Sequence, residues 1–435
     1  MILISASNPR RPMMCERQSD PCKIADRFRL QRNLGVYVIQ KGLNQLAIVD
    51  HETVSLAAGY LVRACKPDGQ FTYRVNLDPT IIPKLKYNVL RHAGAMYALA
   101  VFHQRRPDEK VRDAVVRAGR FLRDRCISPV AEAENMNAVW SRPEMTGAKK
   151  LLGAKLGGAG LGLVALVNLE AIATESTPIE QLRQLGRFVV YMQKADGSFY
   201  SKYIPAKGGR RDAWTSLYYP GEATLGLLML YELDESPVWI GAAANALGYL
   251  ARSREGDSEV PADHWALLAT AKLLAVDDRC DTPVARDPIV AHAIQICESI
   301  LRQQVWTADD PLLIGGFSDD GRTTPTATRL EGLLAALTFL SQQQQQDLRE
   351  RITSSVHEAM SFLVRSQVRQ GEFAGAIPRA YRQWPADDPR SARSFNRRAT
   401  EVRIDYVQHA MSAMIQYLQT FCSDPTMTDS TGKEQ

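Results

Sequence analysis

A pattern of paired helices that returns six times constrains this chain more than any other feature. The first member of each pair is amphipathic and ends in an aromatic residue or Ile followed by a polar cluster: YLVRAC from Tyr60, FLRDRC from Phe121, FVVYMQ from Phe188, YLARSR from Tyr249, ILRQQ from Ile300 and FLVRSQ from Phe362. The second member is richer in Ala, Gly and Leu, as in KLGGAGLGLVALVNL from Lys155 and TATRLEGLLAALTFL from Thr326. Self-similarity at steps of 51 to 67 residues signals an array of supersecondary units. A helix apolar on nearly every side is buried on nearly every side, whereas the first set has one wet face. The expected fold is therefore all-α, an (α/α)6 toroid of alternating outer and inner helices. An open solenoid is the alternative, because repetition alone does not close a ring.

Connections from inner to outer helices are short and those from outer to inner helices are mostly long, with 126–154 and 368–403 the longest. Long ordered loops usually carry function, and these meet at the N-terminal ends of the inner helices, whose dipoles favour an anionic group. The same loops hold the chain's basic excess, including Arg210, Arg211, Arg390, Arg393, Arg397 and Arg398. Turns such as KPDGQF (66–71), KADGSF (194–199), GGFSDDG (315–321) and RQGEF (369–373) read as structural, Gly supplying positive φ and the aromatic returning to the core.

With 53 Lys and Arg against 48 Asp and Glu and 45% hydrophobic residues, the chain is a folded protein rather than a disordered one. The modest charge and lack of a nucleic-acid motif argue against a nucleic-acid partner, and no apolar run is long enough to span a membrane. The N-terminal residues have the wrong order for a secretory signal, so a cytoplasmic protein is expected. Seven scattered Cys suggest neither a disulfide framework nor a zinc ribbon. The expected organisation is a flexible leader at 1–25, one toroid domain at 26–422 and a disordered tail at 423–435.

Stacking the inner helices gives a column of Gly94, Gly158, Glu222, Trp265, Glu331 and His409, and two residues earlier His92, Leu156, Pro220, Asp263, Arg329 and Val407. Polar groups on apolar helices require a reason, since burying a charge without a partner is expensive. Glu222, Asp263, Glu331, Asp405 and Tyr406 are the acid or base candidates. Arg91, His92, Tyr219, His264, Trp265, Arg329, Arg403 and His409 are the substrate-binding candidates. Paired carboxylates suit glycosidic-bond cleavage, and Trp214, Tyr218, Tyr219, Trp265 and Trp384 can stack on sugar rings. No metal ligand and no cofactor is assigned.

Residues of about 50 to 420 resemble the six-hairpin (α/α)6 toroid superfamily, which includes glycoside hydrolases, uronyl hydrolases and lyases, and sugar epimerases. RIDYVQHAMSAMIQYL (403–418) is similar to the last segment of glucuronyl C5-epimerases; that resemblance implies Tyr406 as acid or base, with Asp405 and Arg403 ordering the site. FVVYMQKADGSF (188–199) resembles the Gln and Trp repeat of isoprenoid cyclases, with Phe199 where that repeat has Trp, but the D-x-D-D acid motif does not occur. Prenyltransferase and lanthionine-cyclase readings need zinc held by Cys and His, and the inner helices carry no Cys.

The expected function is a carbohydrate-active enzyme of glycoside hydrolase, lyase or epimerase type, acting by carboxylate, Tyr or His acid-base chemistry on a small-molecule or oligosaccharide substrate, an acidic saccharide included. Two alternatives are a noncatalytic toroid that binds or scaffolds, with its polar groups spent in internal salt bridges, and an isoprenoid cyclase-like enzyme, which needs an apolar cavity.

Overall fold

The computed structural model describes residues 37–39, 47–84, 86–131, 133, 135–146, 151–277 and 285–422. The expected leader and tail lie outside the described residues. Twelve helices make up the body. The outer set is α1 (His51–Ala64), α3 (Glu109–Phe121), α5 (Ile179–Tyr191), α7 (Pro237–Ser253), α9 (Arg286–Arg302) and α11 (Gln346–Arg365). Between them run the inner helices α2 (Val89–Arg105), α4 (Leu156–Glu170), α6 (Tyr219–Leu233), α8 (His264–Asp277), α10 (Thr323–Ala336) and α12 (Ile404–Phe421).

Burial separates the two sets as their sequences require. In α3 the buried residues are Val111, Ala114, Val115, Ala118, Gly119 and Phe121, one stripe of a helix whose other face carries charge, and Asp108 caps it by accepting from the Lys110 and Val111 amides at 2.8 and 3.0 Å. In α4 every residue from Leu156 to Leu169 is buried. The inner helices contact one another in order, and α12 packs on α2, so the ring is closed and the solenoid alternative falls. Closure needs close backbones: a Cβ on Gly160 would lie 2.4 Å from the Glu222 carbonyl oxygen, across the α4–α6 seam.

The Gly turns lock the outer ring. Gly69, Gly197, Gly315 and Gly375 all have positive φ, and a Cβ on any of them would strike a backbone carbonyl of the next outer helix: Arg117, Asn245, Glu358 and Leu56 respectively. The last of these joins α11 back to α1. Glutamines reinforce three of the four joints. Gln193, Gln304 and Gln367 donate to the carbonyls of Ala242, Ser355 and Thr53 at 2.9, 2.9 and 3.0 Å.

The long outer-to-inner connections carry short strands that the helical periodicity does not announce. Ahead of α1, β1 (Tyr37–Ile39) pairs with β2 (Ala47–Val49). Next comes β3 (Arg74–Asn76). The strands β4 (Ile127–Pro129), β5 (Asn137–Ser141), β6 (Gly153–Lys155), β7 (Lys202–Ile204) and β8 (Gly209–Arg211) form one antiparallel sheet in chain order. β9 (Glu401–Arg403) pairs with β3, Arg74 opposite Arg403. This pairing ties the start of α12 to the loop before α2. No described helix is long and apolar enough to cross a membrane.

Candidate active site

A cavity of about 310 Å³ opens at the N-terminal ends of the inner helices. Each of several inner helices delivers a residue of its first turn or cap: Arg91 from α2, Tyr218 from the cap of α6, His264 and Trp265 from α8, Thr324 from α10, and Arg403, Asp405 and Tyr406 from the start of α12. Arg329 and His409 lie a turn deeper. Loop 366–403 adds Arg379 and Arg398.

Two imidazoles form the floor. His264 and His409 are 1% and 3% exposed, with ring centroids 5.4 Å apart in a T-shaped, edge-on arrangement. His409 Nδ1 is 2.7 Å from Glu331 Oε2, whereas His264 Nε2 is 3.9 Å from the same oxygen. Both ring nitrogens of His264 are buried without a hydrogen-bond partner. Burial holds the His264 imidazole well below the ordinary histidine range, with His409, Arg329 and Arg91 adding to the effect. It is a neutral ring facing a polar cavity. Tyr218 stands edge-on to it at 5.1 Å. The donor atoms of His264, Glu331 and His409 all lie within 4.8 Å of one another and can hold a metal ion, a possibility the spacing of these residues along the chain did not reveal.

Asp405 is 1% exposed and is gripped by two guanidinium groups, Arg403 at 2.8 and 2.6 Å and Arg91 at 3.2 Å. Burial alone would raise its pKa, but Arg91 and Arg403 hold the carboxyl below its usual range. Tyr406 donates its hydroxyl to Glu401 at 3.0 Å, with the Arg403 guanidinium 4.4 Å above its ring. Burial pushes its phenol pKa up.

Five candidates from the sequence do not line this cavity. His92 is wholly buried, its ring between Tyr87 Oη at 2.7 Å and the Ala118 carbonyl at 2.9 Å, edge-on to Phe71 and tilted against Phe121; it joins α2 to α3 in the core. Asp263 caps α8, accepting from the Ala266 amide at 3.1 Å, and its other oxygen is 3.5 Å from Arg254. Tyr219 packs edge-on to Trp214 at 5.8 Å; one residue along a helix turns a side chain through about 100°, and its neighbour Tyr218 takes the place by His264. Glu222 lies over Gly157, where a Cβ would collide with its Oε2. Burial pushes its carboxyl up to about 8 despite Arg91, with Asp263 adding to the rise. Glu331 also stands behind the cavity wall, where it contacts His409.

Arg322 and Arg379 were missed. Arg322 is the cap residue of α10, as Arg403 is of α12 and Lys155 of α4, so stacking the caps rather than the first turns exposes it. Arg379 has no such signal. It arrives because the Thr323 amide donates to the Arg379 carbonyl at 3.0 Å and the Arg379 amide to the Glu401 carbonyl at 2.7 Å.

Neither a protein-family model nor a curated protein sequence matches the chain. Solved structures do. The cellobiose 2-epimerase of Spirochaeta thermophila is similar at a TM-score of 0.58 and 13% identity, covering 85% of this chain and 97% of that one. The chain has the (α/α)6 toroid fold. A D-mannose isomerase (TM-score 0.56, 11% identity, 85% and 96% covered) and the GH76A α-1,6-mannanase of a Salegentibacter species (0.56, 11%, 84% and 98%) are similar to this toroid over comparable lengths. At such identity the likeness speaks for the fold, and the toroid's chemistry has to be argued from its own residues.

Proposed function

We propose that this toroid is a carbohydrate-active enzyme that moves a proton at a carbon next to a carbonyl, as an epimerase or isomerase does, on an anionic saccharide. The observation that carries this reading is the pair His264 and His409, facing one cavity with Glu331 behind one of them. Glycoside hydrolysis by two carboxylates has less support, because Asp405 is the one carboxylate lining the cavity among the described residues, and two arginines already engage it. The isoprenoid reading needs an apolar cavity, and six arginines line this one. A scaffold would have its polar groups satisfied internally, whereas His264 has both nitrogens open.

In this mechanism neutral His264 takes the proton from the carbon, the C–H electron pair passes into an enediolate, and Arg91 and Arg403 stand where they can stabilise the developing oxyanion. His409 returns a proton. Its Nδ1–H donates to Glu331, which fixes the tautomer and leaves Nε2 as the working nitrogen. Return to the opposite face of the same carbon gives an epimer, and return to the neighbouring carbon, with the hydroxyl proton of the enediolate passing to the former carbonyl oxygen, gives an isomer. The reading agrees with the epimerase and isomerase among the similar structures.

The test is proton NMR in D2O with neutral hexoses, hexuronates and hexose phosphates. Expected is deuterium entering one carbon next to the carbonyl, slowed about 10²-fold or more in His264→Gln and in His409→Gln, with circular dichroism unchanged. Release of a reducing sugar from glycosides with no deuterium incorporation would overturn the proposal.

A further inference from the structure

The cavity holds more positive charge than the carboxylates in and around it answer. Asp405 pairs with Arg91 and Arg403, Glu401 with Arg398 at 3.1 Å, and Asp320 with Arg322 at 2.8 Å. Among the described residues Arg329 and Arg379 have no carboxylate partner. Arg329 leans on the Gln303 side-chain oxygen at 2.6 Å and the Pro325 carbonyl at 3.2 Å, while Nη1 of Arg379 is buried with no hydrogen-bond partner at all. The Thr324 hydroxyl, in the first turn of α10, is likewise buried and unpartnered.

These like charges crowd one another. Burial depresses the pKa of Arg379, and Arg398 and Arg322 act on it in the same direction. Holding four guanidinium groups together beside a helix N-terminus costs energy unless an anion bridges them. The two uncompensated arginines match a group of charge close to −2, and planar guanidinium forks match phosphate oxygens in pairs. A volume of about 310 Å³ is at the small end for ligand sites, which run from about 300 to 1,000 Å³. One sugar ring with one charged group suits it better than an oligosaccharide.

We propose that Arg322, Arg329, Arg379 and Arg398, with the Thr324 hydroxyl, form a phosphomonoester subsite, so that the substrate is a phosphorylated monosaccharide. The assignment rests on the proton-transfer reading in placing the sugar between this subsite and the two histidines. Arg91 and Arg403 are left out of the subsite because Asp405 answers their charge.

Calorimetric titration of the full chain at low salt, with inorganic phosphate, hexose 6-phosphate, hexuronate and neutral hexose, tests the subsite. Expected is binding of phosphate and hexose 6-phosphate, with the hexuronate at least about tenfold weaker. Arg379→Met and Arg329→Met each weaken the phosphate ligands about tenfold or more, and Arg379→Lys falls between, having charge without the fork. Thr324→Val supplies a variant that keeps every charge and also weakens phosphate. A hexuronate that binds more tightly than hexose 6-phosphate overturns the subsite, as does a folded Arg379→Met with unchanged phosphate affinity. Deuterium incorporation separates the two proposals: exchange into a hexuronate without phosphate binding removes the subsite alone, and phosphate binding without exchange into any sugar supports the subsite and removes the proton-transfer reading alone.

Discussion

His409 on α12 and Glu331 on α10 meet through a 2.7 Å contact between Nδ1 and Oε2, with Glu331 1% exposed and His409 3%. The two residues are far apart in the chain and adjacent in the ring because α10 and α12 are neighbouring inner helices. A buried carboxylate next to an imidazole fixes which nitrogen carries the proton and supports the imidazolium formed during turnover.

Replacing Glu331 by Gln keeps the shape and removes the charge. The expected outcome is a fall in kcat of about 10²-fold with KM changed by less than about threefold, since the carboxylate stands behind His409 and acts through it. Steady-state kinetics on whichever sugar exchanges deuterium checks this. An unchanged kcat in a folded Glu331→Gln would confine Glu331 to packing.

Glu222 makes stability depend on pH. Burial lifts its folded carboxyl to about 8 from an ordinary 4.5, so between those values the folded state binds more protons than the unfolded state. Stability from this group is present at and below about pH 4.5 and is lost progressively as pH rises to 8. Glu222→Gln, which cannot ionise, is expected to raise Tm at pH 8 relative to the native chain and to change it little at pH 5. A Tm difference that stays constant from pH 5 to 8 would show that this carboxyl does not titrate in that range.

Asp405 presents the opposite case, an ionised carboxylate between Arg91 and Arg403. Asp405→Asn leaves two guanidinium groups facing each other with no counter-charge, and is expected to cost about 3 kcal/mol in urea unfolding at pH 7. Because the folded pKa is depressed, the loss begins to shrink as pH falls below about 4, where the unfolded carboxyl protonates, and vanishes only at a lower pH, where the native Asp405 is itself protonated.

Gly375 closes the outer ring with φ +90°, and a Cβ there would meet the Leu56 carbonyl. Gly375→Ala is expected to destabilise the protein by about 2 kcal/mol or more through strain and collision. Gly371, also at positive φ but with open space around it, serves as the comparison: Gly371→Ala should cost less, by chemical denaturation. Equal losses at both would mean that the turn conformation matters and the contact with α1 does not.

The sequence determined the twelve helices, their order and which of them face inward, because helix amphipathicity repeats every few residues and is visible over a short window. It also brought out His264, Trp265, Arg403, Asp405, Tyr406 and His409 as polar or aromatic residues on inner helices near one end. Tertiary structure decided whether the ring closes, which depends on α12 finding α2 and on the Gly375 turn finding α1. It also decided which way each first-turn side chain points: a rotation of one residue exchanged Tyr219 for Tyr218, and a neighbouring helix took His92 and Asp263 into internal hydrogen bonds. Arg379 came from a loop brought in by backbone pairing with α10 and β9. Those outcomes depend on contacts between segments distant in the chain, and local periodicity carries no record of them.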